Sequence, residues 1–159
     1  MYTSPGDAHD VKRSIARMIN SSLFVASLST VCVGKGDGFW PQLPVFVFQE
    51  ERLSHLVFPM AELIVYRTSY APDEVIKQAE HTIGVRWTAV ARSEHDVTET
   101  VERLVRATTD MLWVNNLDSQ VQCGPIRVLT EDYSPLAPAA DHPYVKSGLV
   151  MLAVPVWRS

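Results

Sequence analysis

Residues 93–113 read SEHDVTETVERLVRATTDMLW, and their spacing decides what kind of fold the chain adopts. Val97, Val101, Leu104, Val105, Thr108, Met111 and Leu112 recur at steps of three and four residues, which a 3.6-residue period gathers into one stripe. Glu99, Glu102, Arg103, Arg106 and Asp110 fall mostly off that stripe, on the side where water solvates charge. The segment is therefore expected to be an amphipathic helix of about five turns. Ser93 with Asp96 forms a capping box that uses Asp in place of Glu. A helix of this length is marginal alone in water, so the rest of the chain has to supply a surface for the stripe.

That surface is expected to be a sheet. Residues 78–92 alternate, with Ile83, Val85, Trp87 and Ala89 on one face and Thr82, Arg86 and Thr88 on the other, the period of a strand running into the helix. Glu62 to Ser69 is a second strand, in which Leu63, Val65 and Arg67 alternate with Ile64, Tyr66 and Thr68. Tyr70 to Glu74, with Pro72, is a turn between the two. Pro44 opens an earlier strand from Val45 to Glu50. The connection from Arg52 to Met60 holds Leu53, Leu56, Val57, Phe58 and Met60, too apolar for a solvated turn, so it packs back on the core or is covered by a partner subunit.

After the helix, Asn115 to Ser119 is a turn-rich exit and Gly124-Pro125 introduces a strand from Ile126 to about Tyr133. Ser134 to Pro143 reads as a polar loop or arm. Tyr144 to Trp157 closes the chain as a strand whose residues from Leu149 to Val156 are apolar on both faces, the pattern of a central strand covered on both sides. Pro155 is expected to end its ladder.

At the amino-terminal end Asp7 caps a helix with Val11, Ile15 and Met18 inward, extended by Ile19 and Leu23, and with Lys12, Arg13, Ser14 and Arg17 outward. It ends near Asn20 to Ser22. Leu23 to Val33 either continues as helix or forms a buried strand, and so short a run does not arbitrate by period. Its small, β-branched and apolar residues favour a short strand or an irregular buried segment. Gly34-Lys35-Gly36-Asp37-Gly38 is a loop. Phe39 and Trp40 set bulky aromatics beside it, as interaction loops do. The chain thus reads as α+β, one domain over residues 1–159, with a mainly antiparallel sheet packed against two main helices.

Composition bounds the function. At 159 residues with 47% hydrophobic and 20% charged, the chain supports one well-buried core. Fourteen basic against eighteen acidic residues give −4 at pH 7, so no general attraction to nucleic acid or to an anionic membrane is expected. Cys32 and Cys123 are expected to be reduced and packed. Lys12, Arg13 and Arg17 before Leu23 to Val33 imitate a secretory signal, but Ser21, Ser22, Ser27, Ser29 and Thr30 make the run too polar and it is too short to span a bilayer.

Chemistry finds little purchase. His9, His55, His81, His95 and His142 stand far apart in the sequence, with no pair at metal-binding spacing. His9-Asp10, His95-Asp96 and Asp141-His142 are neighbours that point in different directions, and Glu50-Glu51 reads as a solvated turn. The glycines of residues 34–38 lack the Gly-Lys-Ser/Thr ending and the following helix of a phosphate loop, and no nucleophile elbow or dinucleotide fingerprint is present. Neither a catalytic residue, nor a cofactor, nor a metal site is expected.

The order of elements is itself informative. An amino-terminal helix, the strand introduced by Leu43-Pro44-Val45-Phe46-Val47, a strand pair with an apolar connection, and Gly84 to Val90 running into Val97 to Leu112 follow one another. Strands around Ile126-Arg127-Val128 and Leu149 to Val154 come last, separated by a polar loop. This arrangement resembles the tail-terminator and neck proteins of long-tailed bacteriophages over nearly the full length. The Cys32 to Trp40 loop and the acidic Tyr70 to Glu80 stretch have no counterpart in that pattern.

The resemblance implies a non-enzymatic structural role. Subunits would form a homo-oligomeric ring, six-fold in that group, which caps the tail tube, joins it to the head connector and lets DNA pass without specific binding. Tail-tube and connector proteins would be its partners, with assembly in the host cytoplasm, location in the virion and no membrane contact. Phe39, Trp40, Leu53, Leu56, Phe58 and Met60 are the expected subunit-interface residues, because a head-to-tail ring needs two different contact surfaces. The competing classes are a small ligand-binding protein or enzyme with a pocket between sheet and helix, and an adaptor that binds peptides along a sheet edge.

Overall fold

A computed structural model describes residues 7–41, 46–48, 58–70, 78–115, 124–138 and 143–157. In chain order the elements are α1 (Ala8–Ile19), α2 (Ser22–Lys35), β1 (Phe46–Phe48), β2 (Met60–Tyr70), β3 (Gln78–Ala91), α3 (Glu94–Val114), β4 (Arg127–Tyr133) and β5 (Tyr144–Trp157). The strands form one sheet in the order β1-β2-β3-β5-β4. β1 runs parallel to β2, and every other neighbour is antiparallel. The α+β reading with a mainly antiparallel sheet holds, with three helices among the described residues in place of two.

The extra helix is α2, formed by the run from Leu23 to Val33 that was expected to be a strand or an irregular segment. Its ends carry ordinary signals. The Ser21 hydroxyl accepts the Leu23 N–H at 3.2 Å, and Gly36 closes the helix in the left-handed region at φ 66°. The glycine-rich loop therefore starts later than expected, since Gly34 and Lys35 belong to α2. Phe24, Leu28 and Cys32 are buried at every fourth position. The outer side mixes Leu23, Val25 and Val33 with Ser22 and Thr30, which leaves no distinct polar face to betray a helical period. Leu23 lies on that outer side, 44% exposed, rather than extending the inward face of α1.

α1 begins as expected, with the Asp7 carboxylate accepting the Asp10 N–H at 2.7 Å. Val11, Ile15, Met18 and Ile19 are buried. Lys12 and Ser14, expected to face outward, are buried too, because α1 packs against both β2 and α2 and has two covered flanks.

α3 crosses β3 and β5 and touches β4. Odd-numbered residues of β3 and even-numbered residues of β5 point toward it, and Ile83, Val85, Trp87, Val150, Leu152 and Val154 are buried there against Val97, Val101, Leu104 and Val105. Gly148 sets the seat of the helix. A Cβ on it would stand 2.5 Å from Val105 Cγ2 and 2.8 Å from Val101 Cγ1, so the helix approaches β5 more closely than a side chain allows. Leu104 is fully buried, and Leu104→Ala is expected to destabilise by about 2–5 kcal/mol in denaturant unfolding. A loss under about 0.5 kcal/mol, the size of an ordinary surface substitution, would contradict the packing.

Two expectations about the closing strand fail. β5 lies between β3 and β4, but among the described residues helices cover only one of its faces; on the other, Leu149 and Met151 are half-buried. Pairing with β3 also continues past Pro155 to Trp157. The Pro155 carbonyl accepts the Gly124 N–H at 2.8 Å, so the backbone polar groups of Pro155 face the β4 side. The missing N–H therefore takes nothing from the ladder with β3. Of the expected polar arm, Ala137 pairs with Val145 and Ser134 N–H donates to the Ser147 carbonyl at 2.9 Å, so this part lies along β5.

Candidate functional site

The loop after α2 is held by a side chain expected to be in water. Arg103, on α3, is only 1% exposed. Its Nη2 donates to the Asp37 carboxylate, its Nη1 to the Phe39 carbonyl at 2.5 Å and its Nε to Glu99 at 3.0 Å. The guanidinium carbon lies 5.1 Å from the centre of the Phe39 ring, a cation–π contact, while His95 meets that ring edge-on at 6.1 Å. Asp37 also accepts the Phe39 N–H at 3.0 Å. The hydrogen bond from Arg103, then that from Phe39, hold the Asp37 carboxyl down to about 2 from an ordinary 3.8. Asp37 in turn raises Arg103 further above its already high value. The pair stays ionised throughout the neutral range.

Arg103 is buried because it borders the apolar stripe on the flank that α2 covers, a neighbour that Leu23 to Val33 does not supply as a short strand or an irregular buried segment. The one local signal was its i, i+4 spacing from Glu99.

The clamped loop presents Phe39 and Trp40 to a surface hollow of about 310 Å³, which Phe58, Pro59, the Ala89 to Ala91 end of β3, Arg92, Asp96 and Thr100 also line. Three of the expected interface residues, Phe39, Trp40 and Phe58, are thus brought together. Trp40 is 51% exposed, and Phe39 and Phe58 are half-buried. Met60 is not part of the hollow. It pairs with Thr88 on the helix-free face of the sheet and is 8% exposed, so its side chain is already covered within the chain. Leu53 and Leu56 lie outside the described residues, as do Cys123, His55 and His142.

A second concavity, about 500 Å³, opens between α2, α3 and β4 and includes Lys35, Glu102, Arg106, Asp110, Glu131 and Tyr133. Some of its polar groups already have partners: Arg106 pairs with Asp110 at 3.3 Å and Glu131 accepts the hydroxyl of neighbouring Thr109 at 2.7 Å. Burial first, and then the Glu131 charge, push the Tyr133 hydroxyl up to about 12, so it is protonated at neutral pH and unsuited to act as a base. Under α3 the faces of β3 and β5 carry buried side chains, and the space that sheet and helix leave, where a ligand pocket was one expectation, is this concavity at the α3–β4 edge. Among the described residues no three His, Cys, Asp or Glu side chains converge on a point that could hold a metal. Cys32 is a free, buried thiol.

No protein-family model matches the sequence, and no curated protein is significantly similar to it. The fold does have a solved counterpart. A chain of the structure titled "Virion of native gene transfer agent (GTA) particle" matches with a TM-score of 0.57 at 10% sequence identity, covering 93% of this chain and 95% of that one. The two chains share a fold from end to end, so the likeness is not confined to a common helix-on-sheet fragment.

Proposed function

We propose that the chain is a structural virion protein, a tail-terminator or neck subunit that assembles into a homo-oligomeric ring, six-fold by analogy, between tail tube and head connector. The observation that carries this reading is the match over nearly the whole of both chains to a chain of a gene transfer agent virion. Phage tail-tube and connector proteins are its partners on this reading, and the virion its destination. The −4 charge suits a ring through which DNA moves, because attraction to phosphate would retard transit. The chain acts by packing and not by catalysis.

The surface supports the same role. Trp40 stands half-exposed on a loop fixed to α3 by Arg103, so its presentation costs little ordering on association, and aromatic anchors of this kind concentrate binding energy at interfaces. Trp40→Ala is expected to leave the thermal midpoint of the subunit within about 2 °C, as suits a half-exposed surface residue, while weakening assembly by roughly 2 kcal/mol or more. Light scattering across a dilution series measures the second effect. An unchanged oligomer removes the loop from the interface.

A further inference from the structure

The loop after α2 has the backbone of a hinge, yet one side chain holds it shut. Gly36 and Gly38 lie in the left-handed region at φ 66° and 72°, on either side of Asp37. A Cβ on either glycine would meet nothing within 4 Å, so glycine is needed here for the turn of the backbone and not to avoid crowding. From Val33 to Gly38 every residue is exposed, and the chain is next buried at Pro41.

Arg103 donates both of the hydrogen bonds that tie this arc to α3, one to the Asp37 carboxylate and one to the Phe39 carbonyl. The Phe39 ring meets the same guanidinium. Arg103 itself is fixed, 1% exposed and hydrogen-bonded to Glu99 on its own helix, so the loop opens without it. An exposed stretch whose ties converge on one side chain opens locally at a lower cost than the whole fold. Neither Asp37 nor Arg103 lines the hollow beside Trp40.

We infer that Asp37 and Arg103 form a latch that governs docking through Trp40: the loop has a closed state, in which Trp40 stands at the hollow, and an open state, and only the closed state docks. The inference rests on the reading of Trp40 as an interface residue. A partner that takes only the closed state binds with an affinity scaled by the closed fraction, so the latch tunes assembly from outside the hollow. Gly36 and Gly38 are its positioning residues, because they let the backbone turn that brings Asp37 under Arg103.

The Phe39 N–H, which donates to Asp37 at 3.0 Å, reports the state of the latch. In native-state hydrogen exchange on the full chain, this amide is expected to exchange faster than that of Leu104, at a rate that low urea does not change, the mark of a local opening. Asp37→Asn keeps the shape of the side chain and an acceptor for that N–H but removes the charge that Arg103 holds, and is expected to speed the exchange roughly tenfold or more. Asp37→Asn combined with Gly38→Ala, which strains the closed turn as well, is expected to weaken assembly at least about tenfold in light scattering across a dilution series. The same pair of changes is expected to add nothing in a Trp40→Ala background. Both positions are exposed, thermal melts check folding, and Asp37→Asn alone serves should the combined variant unfold. A ring in which Phe39 exchanges only together with Leu104, or in which Asp37→Asn leaves that exchange as it was, overturns the latch. So does a loss of assembly that is the same with and without Trp40. A wild type that is monomeric at every concentration overturns the ring and the docking role together.

Discussion

Trp87→Ala is expected to cost about 3–5 kcal/mol of folding stability, the range for removing a buried aromatic. Trp87 is fully buried where β3, α2 and α3 meet. Its ring lies on Phe24 with centroids 5.4 Å apart and planes 15° from parallel, and its Nε1–H donates to the Thr108 hydroxyl at 2.7 Å. Thr108 donates in turn to the Leu104 carbonyl at 2.8 Å, so it keeps a partner when the indole is removed. The loss is therefore cavity and contact rather than a stranded donor. Trp87→Phe, which retains a ring against Phe24, is expected to recover most of it and to leave a deficit of about 1 kcal/mol for the hydrogen bond. Denaturant unfolding measures both variants. A loss under about 1 kcal/mol for Trp87→Ala would mean that α2 does not pack where it is placed.

Arg103→Ala is expected to destabilise by roughly 1.5–3 kcal/mol, the loss for hydrogen bonds made by a charged group. The larger penalty of a stranded buried charge does not arise, because the carboxylates left behind, Asp37 at 40% and Glu99 at 21% exposure, still reach water. Arg103→Lys is expected not to rescue, since an ammonium cannot serve Asp37, Glu99 and the Phe39 carbonyl in one planar fork. The signature that separates this variant from Trp87→Ala is release of the loop, and so weaker assembly at concentrations where the subunit is still folded. The clamp also has a pH window. Because Asp37 is more acidic when folded, its contribution is complete above about 3.8 and is lost as pH falls through about 2. Stability of the wild type relative to Arg103→Ala is therefore expected to be flat from neutral pH to about 4 and to narrow below it.

The elements with clean periods were legible. The alternation of Ile83, Val85, Trp87 and Ala89 and the stripe from Val97 to Leu112 each place one face in the core, and Asp7 and Ser93 cap the helices they were expected to cap. What was not legible depends on surfaces beyond the local segment. α2 shows no amphipathic period because its outer side mixes Leu23, Val25 and Val33 with Ser22 and Thr30. Arg103 reads as solvated until α2 is known to lie against it. Pro155 reads as a ladder stop until β4 is known to end at the level of Ala153. Of the expected interface residues, Phe39, Trp40 and Phe58 could be grouped from their aromatic character near a loop. That Met60 is covered within the chain depends on the register that puts it beside Thr88.

Assembly is the property on which these readings converge. Light scattering on the full chain across a hundredfold concentration range, with negative-stain images of the heaviest species, measures it directly. A closed ring of uniform mass, six subunits by analogy with tail terminators, is the predicted result, and a monomer persisting at the highest concentration would contradict it.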